Sequence, residues 1–259
     1  MDPVRQFRKE REDTIEAFGR DAGFHERSRA WVQEAMDKRY VYNFDWLGRP
    51  IIQYPQDVFA MQELVWATRP DVIVETGIAH GGSLVLSASL LAMLEWCDAA
   101  QADALLDTSS TKRRVIGVDI DIRAHNRAAM ESHPMARKIT KIEGSSIAKD
   151  TIAQVTDLVG DAARVMICLD SNHTHDHVLA ELDAYAKLVT PGCYCVVLDT
   201  FVEDMPKGFI KDRPWDKGNN PKTAVKEWLA VNPEFAIDEA IENQLMITGA
   251  PSGFLKRIG

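Results

Sequence analysis

Four carboxylates stand at the same kind of place in this chain, the C-terminal end of a short apolar run. Glu75 follows Val72-Ile-Val, Asp119 follows Val115-Ile-Gly-Val, Asp170 follows Val165-Met-Ile-Cys-Leu and Asp199 follows Val196-Val-Leu. Unpaired charge at buried strand tips is costly, so something cationic or rich in hydroxyls must meet them. Glu75-Thr-Gly77 runs on through Gly81-Gly82-Ser83 into a long apolar stretch, 84–94. Gly77 lets the backbone turn sharply and a ligand approach closely. A helix opening with Ser83 near its N-cap offers unpaired N–H groups. The spacing, Glu-x-Gly-x-x-x-Gly-Gly, differs from the dinucleotide pattern G-x-G-x-x-G. A carboxylate ahead of the first glycine is poorly suited to a pyrophosphate and suits a cationic ligand with an amino group, such as S-adenosylmethionine. Asp119, with Ile120 beside it, can accept the two hydroxyls of a ribose, and the Gly144-Ser145-Ser146 turn can edge an adenine ring.

Asp170 and Asp199 belong to a second half of the site. If their strands are neighbours, the two carboxylates suit an oxygen-ligated Mg²⁺. His173 follows Asp170 by three residues and fits a general base for a substrate hydroxyl, because imidazole as a group titrates near neutrality. The alternative is a histidine that caps the next helix or is hydrogen-bonded in the loop. His173, His175 and His177 together invite a zinc reading, but no cysteine lies near them and carboxylates do. Zinc is the lesser alternative.

The elements that must hold these residues alternate. Short β-branched runs at 72–76, 114–119, 139–143, 164–170 and 192–199 read as strands. Helical patterns follow at 84–94, 122–133, 152–159 and 178–188. A helix from Asn220-Pro221 to Ala230 has a good N-cap before an N1 proline. Two closing runs, 235–241 and 244–258, read as strands joined by a short turn. Five βα units and two further strands are the count of the doubly wound, Rossmann-like methyltransferase sheet, an α/β fold. Residues 1–45 are charged with spaced apolar positions and read as a helical N-terminal extension, broken near Gly23, on a domain spanning 46–259. The loop 200–220, with Arg213, Trp215 and Asp216, can close over an acceptor.

The bulk numbers agree with one such domain. The chain has 259 residues, 46% hydrophobic and 27% charged, with a net charge of −9. That size buries a sizeable core, and the charge argues against general nucleic-acid binding. No 18-residue apolar stretch is read, so no membrane span is expected. Residues 1–20 lack the apolar core of a secretion signal. The four cysteines, none in C-x-x-C, read as reduced thiols in a cytoplasmic protein.

Five segments carry a family resemblance: Glu75-Thr-Gly-Ile-Ala-His-Gly-Gly-Ser83, Gly117-Val-Asp-Ile-Asp121, Glu143-Gly-Ser-Ser146, Leu169-Asp-Ser-Asn-His173 and Pro191-Gly-Cys-Tyr194. Over about residues 46–258 the chain resembles the cephalosporin hydroxylase / rhamnosyl O-methyltransferase family. The resemblance implies a class I S-adenosylmethionine-dependent fold. It also implies methyl transfer to a hydroxyl of a sugar, glycolipid or small natural product, often with Mg²⁺. On it, Glu75, Gly77, Gly81, Gly82, Ser83, Asp119, Ile120, Ser145, Ser146 and Asp170 are expected at the cofactor. His173 and Asp170 are expected in catalysis. Relatives with Mg²⁺ often carry an acid two residues after the strand-four Asp and an acidic pair at the tip of strand five. Here those places hold Asn172 and Leu198-Asp199, so the expected metal set is Asp170, Asp199 and the carbonyl oxygen of Asn172. A homo-oligomer is expected. Two alternatives stand: an NAD-dependent oxidoreductase, and a cofactor-binding protein without turnover.

Overall fold

The computed structural model describes residues 2–259. The chain opens with α1 (Pro3–Arg20) and α2 (Ala22–Asp37), a 3-10 turn, and a two-stranded hairpin, β1 (Phe44–Trp46) and β2 (Arg49–Ile51). The break between α1 and α2 falls at Asp21, not at Gly23. The Asp21 side chain accepts from Phe24 N, making it the N-cap of α2. Then come α3 (Pro55–Thr68), β3 (Val72–Thr76), α4 (Gly82–Gln101), β4 (Arg114–Asp119), α5 (Ala124–Glu131), β5 (Ile139–Glu143) and α6 (Lys149–Val159). The second half runs β6 (Val165–Leu169), α7 (His175–Tyr185), β7 (Tyr194–Val197), α8 (Pro221–Leu229), β8 (Phe235–Ile237), α9 (Glu239–Leu245) and β9 (Phe254–Arg257).

Seven strands form one sheet in the order β5-β4-β3-β6-β7-β9-β8, with β9 antiparallel to both neighbours. The chain starts at the centre with β3, winds out through β4 and β5, and returns to β6. The switch point between β3 and β6 is where such sheets open a ligand crevice beyond the strand ends. β3 and β6 are buried on both faces along their whole length, as a central parallel strand must be. One face packs on α3 and α4 through side chains such as Leu64, Leu84, Leu91 and Leu94; the other packs on α6, α7 and α8 through Val155, Leu182 and Trp228.

The two closing strands differ from their expected extents. β8 and β9 are short, and a helix, α9, with a loop stands where a turn was expected. Glu239-Ala-Ile-Glu-Asn-Gln-Leu is free to be helical because the strand ends at Ile237, where only β9 is available as a partner. α4 also departs from expectation. It is 20 residues long and holds an 18-residue window of mean hydropathy 1.4, long and apolar enough to cross a membrane by length and composition. In the fold it is the central helix of the sheet face, with Leu84, Val85, Leu86, Leu90, Leu91 and Leu94 buried.

Burial also reaches carboxylates. Glu75, inside β3, is 3% exposed. Burial pushes its carboxyl up to about 7, against the opposing hydrogen bond from Ser83. Asp57 on α3 is pushed by burial to about 6, although Thr248 and the Gly249 N–H both donate to it. A carboxyl whose folded pKa is raised favours the protonated fold. Its stabilising effect is complete below the unfolded pKa and is lost as pH rises through the folded one. For Glu75, rising from 4.5 to about 7, the loss amounts to about 3 kcal/mol. Glu75→Gln should therefore reduce the pH dependence of the stability of the ligand-free protein between about pH 5 and about pH 8, leaving the slopes due to Asp57 and to Asp170, whose carboxyl burial also raises. Urea denaturation of both proteins at the two pH values measures it; parallel losses in wild type and variant would exclude Glu75 as the source.

Candidate active site

The exits of β3, β4, β6 and β7 point the same way and open into a cleft of about 510 Å³. At its centre the backbone leaves β3 through Gly77, whose N–H donates to Val118 O at 2.8 Å. Gly77 has φ +88°, and a Cβ there would collide with the backbone carbonyl of Asp170. Glycine is required both for the dihedral and for the contact. Gly81 is the N-cap of α4. Gly82 packs against the hairpin, where a Cβ would collide with the carbonyl of Pro50. The turn is braced from behind. Arg49 Nε donates to His80 O at 3.0 Å, and buried Asn126 donates to Ala79 O at 2.9 Å. Ser83 is not the N-cap. It lies in the first turn of α4 and donates its hydroxyl to Glu75 Oε1.

That bond changes the expected place of Glu75. Glu75 lines a small cavity of about 10 Å³ that adjoins the cleft, Gln53, Asp57 and Ser83 lining both, and does not itself line the cleft. The space fits about one water. Ser83 lines both spaces, so Glu75 stands behind it.

Asp119 does line the cleft. Its Oδ2 accepts from Ile78 N at 2.7 Å and Ala79 N at 3.2 Å, and its Oδ1 from Asp121 N at 3.1 Å. A carboxylate has about four acceptor positions. Two are spent on the glycine turn and one on Asp119's own loop, leaving room for about one hydroxyl where two were expected. Ile120 stands 74% exposed next to it, an apolar face at the β4 exit. On the loop after β5, Ser145 is half-buried, whereas Ser146 is turned inward toward α7 and contacts His177 at 3.0 Å.

The other half of the cleft is polar in a different way. One ligand atom each from Asp170, His173 and Asp199 lie within 4.8 Å of one another. β6 and β7 are hydrogen-bonded neighbours, which brings the two acids together. His173 Nε2 is 3.1 Å from Asp199 Oδ2, and its ring meets Trp215 edge-on at 4.7 Å. Burial, and then the nearby Asp199 carboxylate, hold the Asp170 carboxyl well above the usual range. A desolvated carboxylate facing a second, partly exposed one favours a bound divalent cation or a shared proton. Asn172 does not join them. Its Oδ1 accepts from Thr174 N at 3.0 Å and Thr174 Oγ1 at 2.9 Å, closing an Asx turn before α7. His173 takes the third position instead. His175 and His177 are on α7 and turn elsewhere: His175 to Thr223 and Glu227, His177 to Ser146, Ser171 and Glu181.

The rest of the cleft wall comes from residues outside the motifs. Gln53 and Tyr54, on the loop after β2, line it; among the described residues, Gln53 Oε1 and Tyr54 OH are buried with no hydrogen-bond partner. Val41, Phe201 and Trp215 supply apolar and aromatic surface. The clustered aromatics at 40–54 were the available signal, and core packing explains such clusters equally well.

Comparison with known proteins agrees with this fold. Residues 38–258 match the family described as Rhamnosyl O-methyltransferase/CmcI. The rhamnosyl O-methyltransferase of Mycobacterium bovis BCG is 26% identical over 238 residues, covering 87% of this chain and 85% of that protein. The Mycobacterium leprae protein of the same name is 26% identical over 233 residues, covering 87% and 90%. Among solved structures, a CmcI structure described with Mg and S-adenosylmethionine aligns with TM-score 0.54 at 20% identity, covering 84% of this chain and 78% of that one. CalS11, described as a TDP-rhamnose 3'-O-methyltransferase, aligns with TM-score 0.51 at 16% identity, covering 78% and 79%. The oxidoreductase and turnover-free alternatives fall away. With the family match spanning residues 38–258 and the doubly wound sheet beneath it, the chain belongs to the rhamnosyl O-methyltransferase/CmcI family and is an S-adenosylmethionine-dependent O-methyltransferase.

Proposed function

We propose that the acceptor is a sugar hydroxyl, methylated in the cleft between the glycine turn and the Asp170–His173–Asp199 cluster. The observation that carries this reading is the cluster's place, in the same cleft as the cofactor turn and Asp119. The relatives named as rhamnosyl O-methyltransferases support a deoxyhexose, free or within a glycolipid. We extend the reading to a homo-oligomer in the cytoplasm. Exposed Phe59, Trp66, Met93 and Trp96 on α3 and α4 support the first, and four free cysteines the second.

The residue roles follow from position. The N–H groups opening α4 and the Asp119 carboxylate hold the cofactor, with the Ile120 side chain offered to its flat ring. Methyl transfer is an in-line displacement at a sulfonium carbon, so the acceptor oxygen must be held in line and close. His173, in contact with Asp199, is placed to take the acceptor's proton. Asp170 and Asp199 would hold a Mg²⁺ ion, the hard cation that two carboxylates suit. Bound there, the metal supplies Lewis-acid stabilisation of a developing alkoxide. Gln53 and Tyr54 offer buried, unpaired polar atoms to the acceptor's remaining hydroxyls.

Three measurements test these roles. Asp119→Ala removes one charge-assisted contact, about 1.5–3 kcal/mol, and loosens the turn. Affinity for S-adenosylhomocysteine should drop at least tenfold by calorimetry; unchanged affinity removes Asp119 from the cofactor. Asp199→Asn, or EDTA on the wild type, should abolish most turnover while leaving cofactor affinity intact. Turnover that survives both leaves His173 acting without a metal. His173→Ala should lose roughly two to four orders of magnitude in kcat, with cofactor affinity unchanged. A variant that melts early but keeps its rate per folded molecule would make His173 a scaffold residue.

A further inference from the structure

Behind the cleft, α7 carries a second polar cluster that the roles above leave unused. His177 and Glu181 are one helical turn apart and lie on one face of α7. Glu181 is 0% exposed. Its Oε1 accepts the Ser171 hydroxyl at 2.7 Å and is 3.5 Å from His177 Nε2. The same His177 nitrogen is 3.2 Å from Ser171 Oγ and 3.0 Å from Ser146 Oγ. One turn further, Tyr185 donates its phenol to the Ser146 carbonyl at 2.5 Å. Among the described residues Glu181 Oε2 has no hydrogen-bond partner. A fully buried carboxylate with one oxygen unpaired is costly, and an apolar side chain would pack the site better.

The proton count fixes how the cluster works. With Glu181 ionised, Ser171 spends its one hydroxyl proton on it, so the Ser171 oxygen accepts from His177. His177 Nε2 therefore carries a hydrogen, directed at the two serine oxygens. Ser171 directly follows Asp170 and lines the cleft; Ser146 lies on the loop after β5. β4 and β3 sit between β5 and β6 in the sheet, so this contact joins two exit loops across the exits of the strands that carry Asp119 and the glycine turn.

We propose that His177 and Glu181 are positioning residues for the nucleoside half of the cofactor. They lock the exit loop of β5 to that of β6 and so set the width of the slot between them. This rests on the cofactor reading given above.

The test is a double-mutant cycle on the full chain, with S-adenosylhomocysteine as the titrant in calorimetry and melting temperature measured alongside. Glu181→Gln keeps the volume and Ser146→Ala removes only a hydroxyl. Each should weaken affinity about tenfold, and the double variant should weaken it no further than about tenfold, since residues of one network are not additive. The KM for the acceptor should stay unchanged. If Glu181→Gln does not fold, His177→Gln replaces it in the cycle. Unchanged affinity in the variants, or losses that simply add, overturns the proposal, as does a lower melting temperature with unaltered affinity per folded molecule. A wild type that fails to bind overturns the cofactor reading and this proposal with it, whereas a wild type that binds beside unaffected variants overturns this proposal alone.

Discussion

The site depends on one close approach, the backbone of Gly77 against the backbone of Asp170. No side chain fits between them. Because the two exits touch, the glycine turn that opens α4 and the acid that ends β6 are held at a fixed separation by main chain, without reliance on side-chain packing. A methyl donor and an acceptor placed on the two exits inherit that separation. In-line transfer needs such rigidity, since small misplacements of reacting atoms are expensive in rate. The bracing around the turn has the same sense. Arg49, Asn126 and Asp119 all spend hydrogen bonds on the backbone from Ile78 to His80.

The second constraint is electrostatic. Asp57, Asp170 and Asp199 line the cleft and Glu75 stands just behind it; burial raises Asp57, Glu75 and Asp170. A fold gains nothing from such a group by itself. The cost falls when a sulfonium, an ammonium or a divalent cation enters, so ligand binding and relief of desolvated charge are the same event. The ligand-free protein is therefore expected to be least favoured, among its pH conditions, where these carboxyls ionise without a partner.

How much of this was legible beforehand divides by cause. The strands, their order class and the four acids at their tips follow from period and composition, because central parallel strands are apolar throughout and a charge at their end stands out. His173 near Asp170 was legible from the spacing; that Asn172 turns aside was not. Both residues follow β6, and which one faces the cleft is decided by the Asx turn that Asn172 makes with Thr174. Glu75 was placed at the ligand for its motif, but alternation along β3 turns it to the face covered by α4, where Ser83 meets it. The closing region was read as two long strands because Ile237 and Met246-Ile-Thr248 look equally β-prone; strand length there is set by what lies alongside, not by propensity.

The N-terminal segment shows the same dependence on tertiary context. Read alone, residues 1–45 are an amphipathic appendage. In the fold, α1 has no buried residue and packs on α9, so it is peripheral. α2 is different. Val32 and Ala35 share a small core with Val41, Tyr54, Phe201, Val202 and Met205. That core joins the chain before the hairpin to the turn after β7, and Val41, Tyr54, Phe201 and Val202 also line the cleft. The surface opposite the four acids is therefore built from two stretches about 160 residues apart, each ordered by the other. Changes in α2 packing would reach the acceptor wall before they reached the cofactor, whose turn is held by the sheet and α4. On the roles proposed above, cofactor recognition falls at the centre of the sheet and acceptor choice on the loops and α2 around it, the division that function grafted on loops commonly takes.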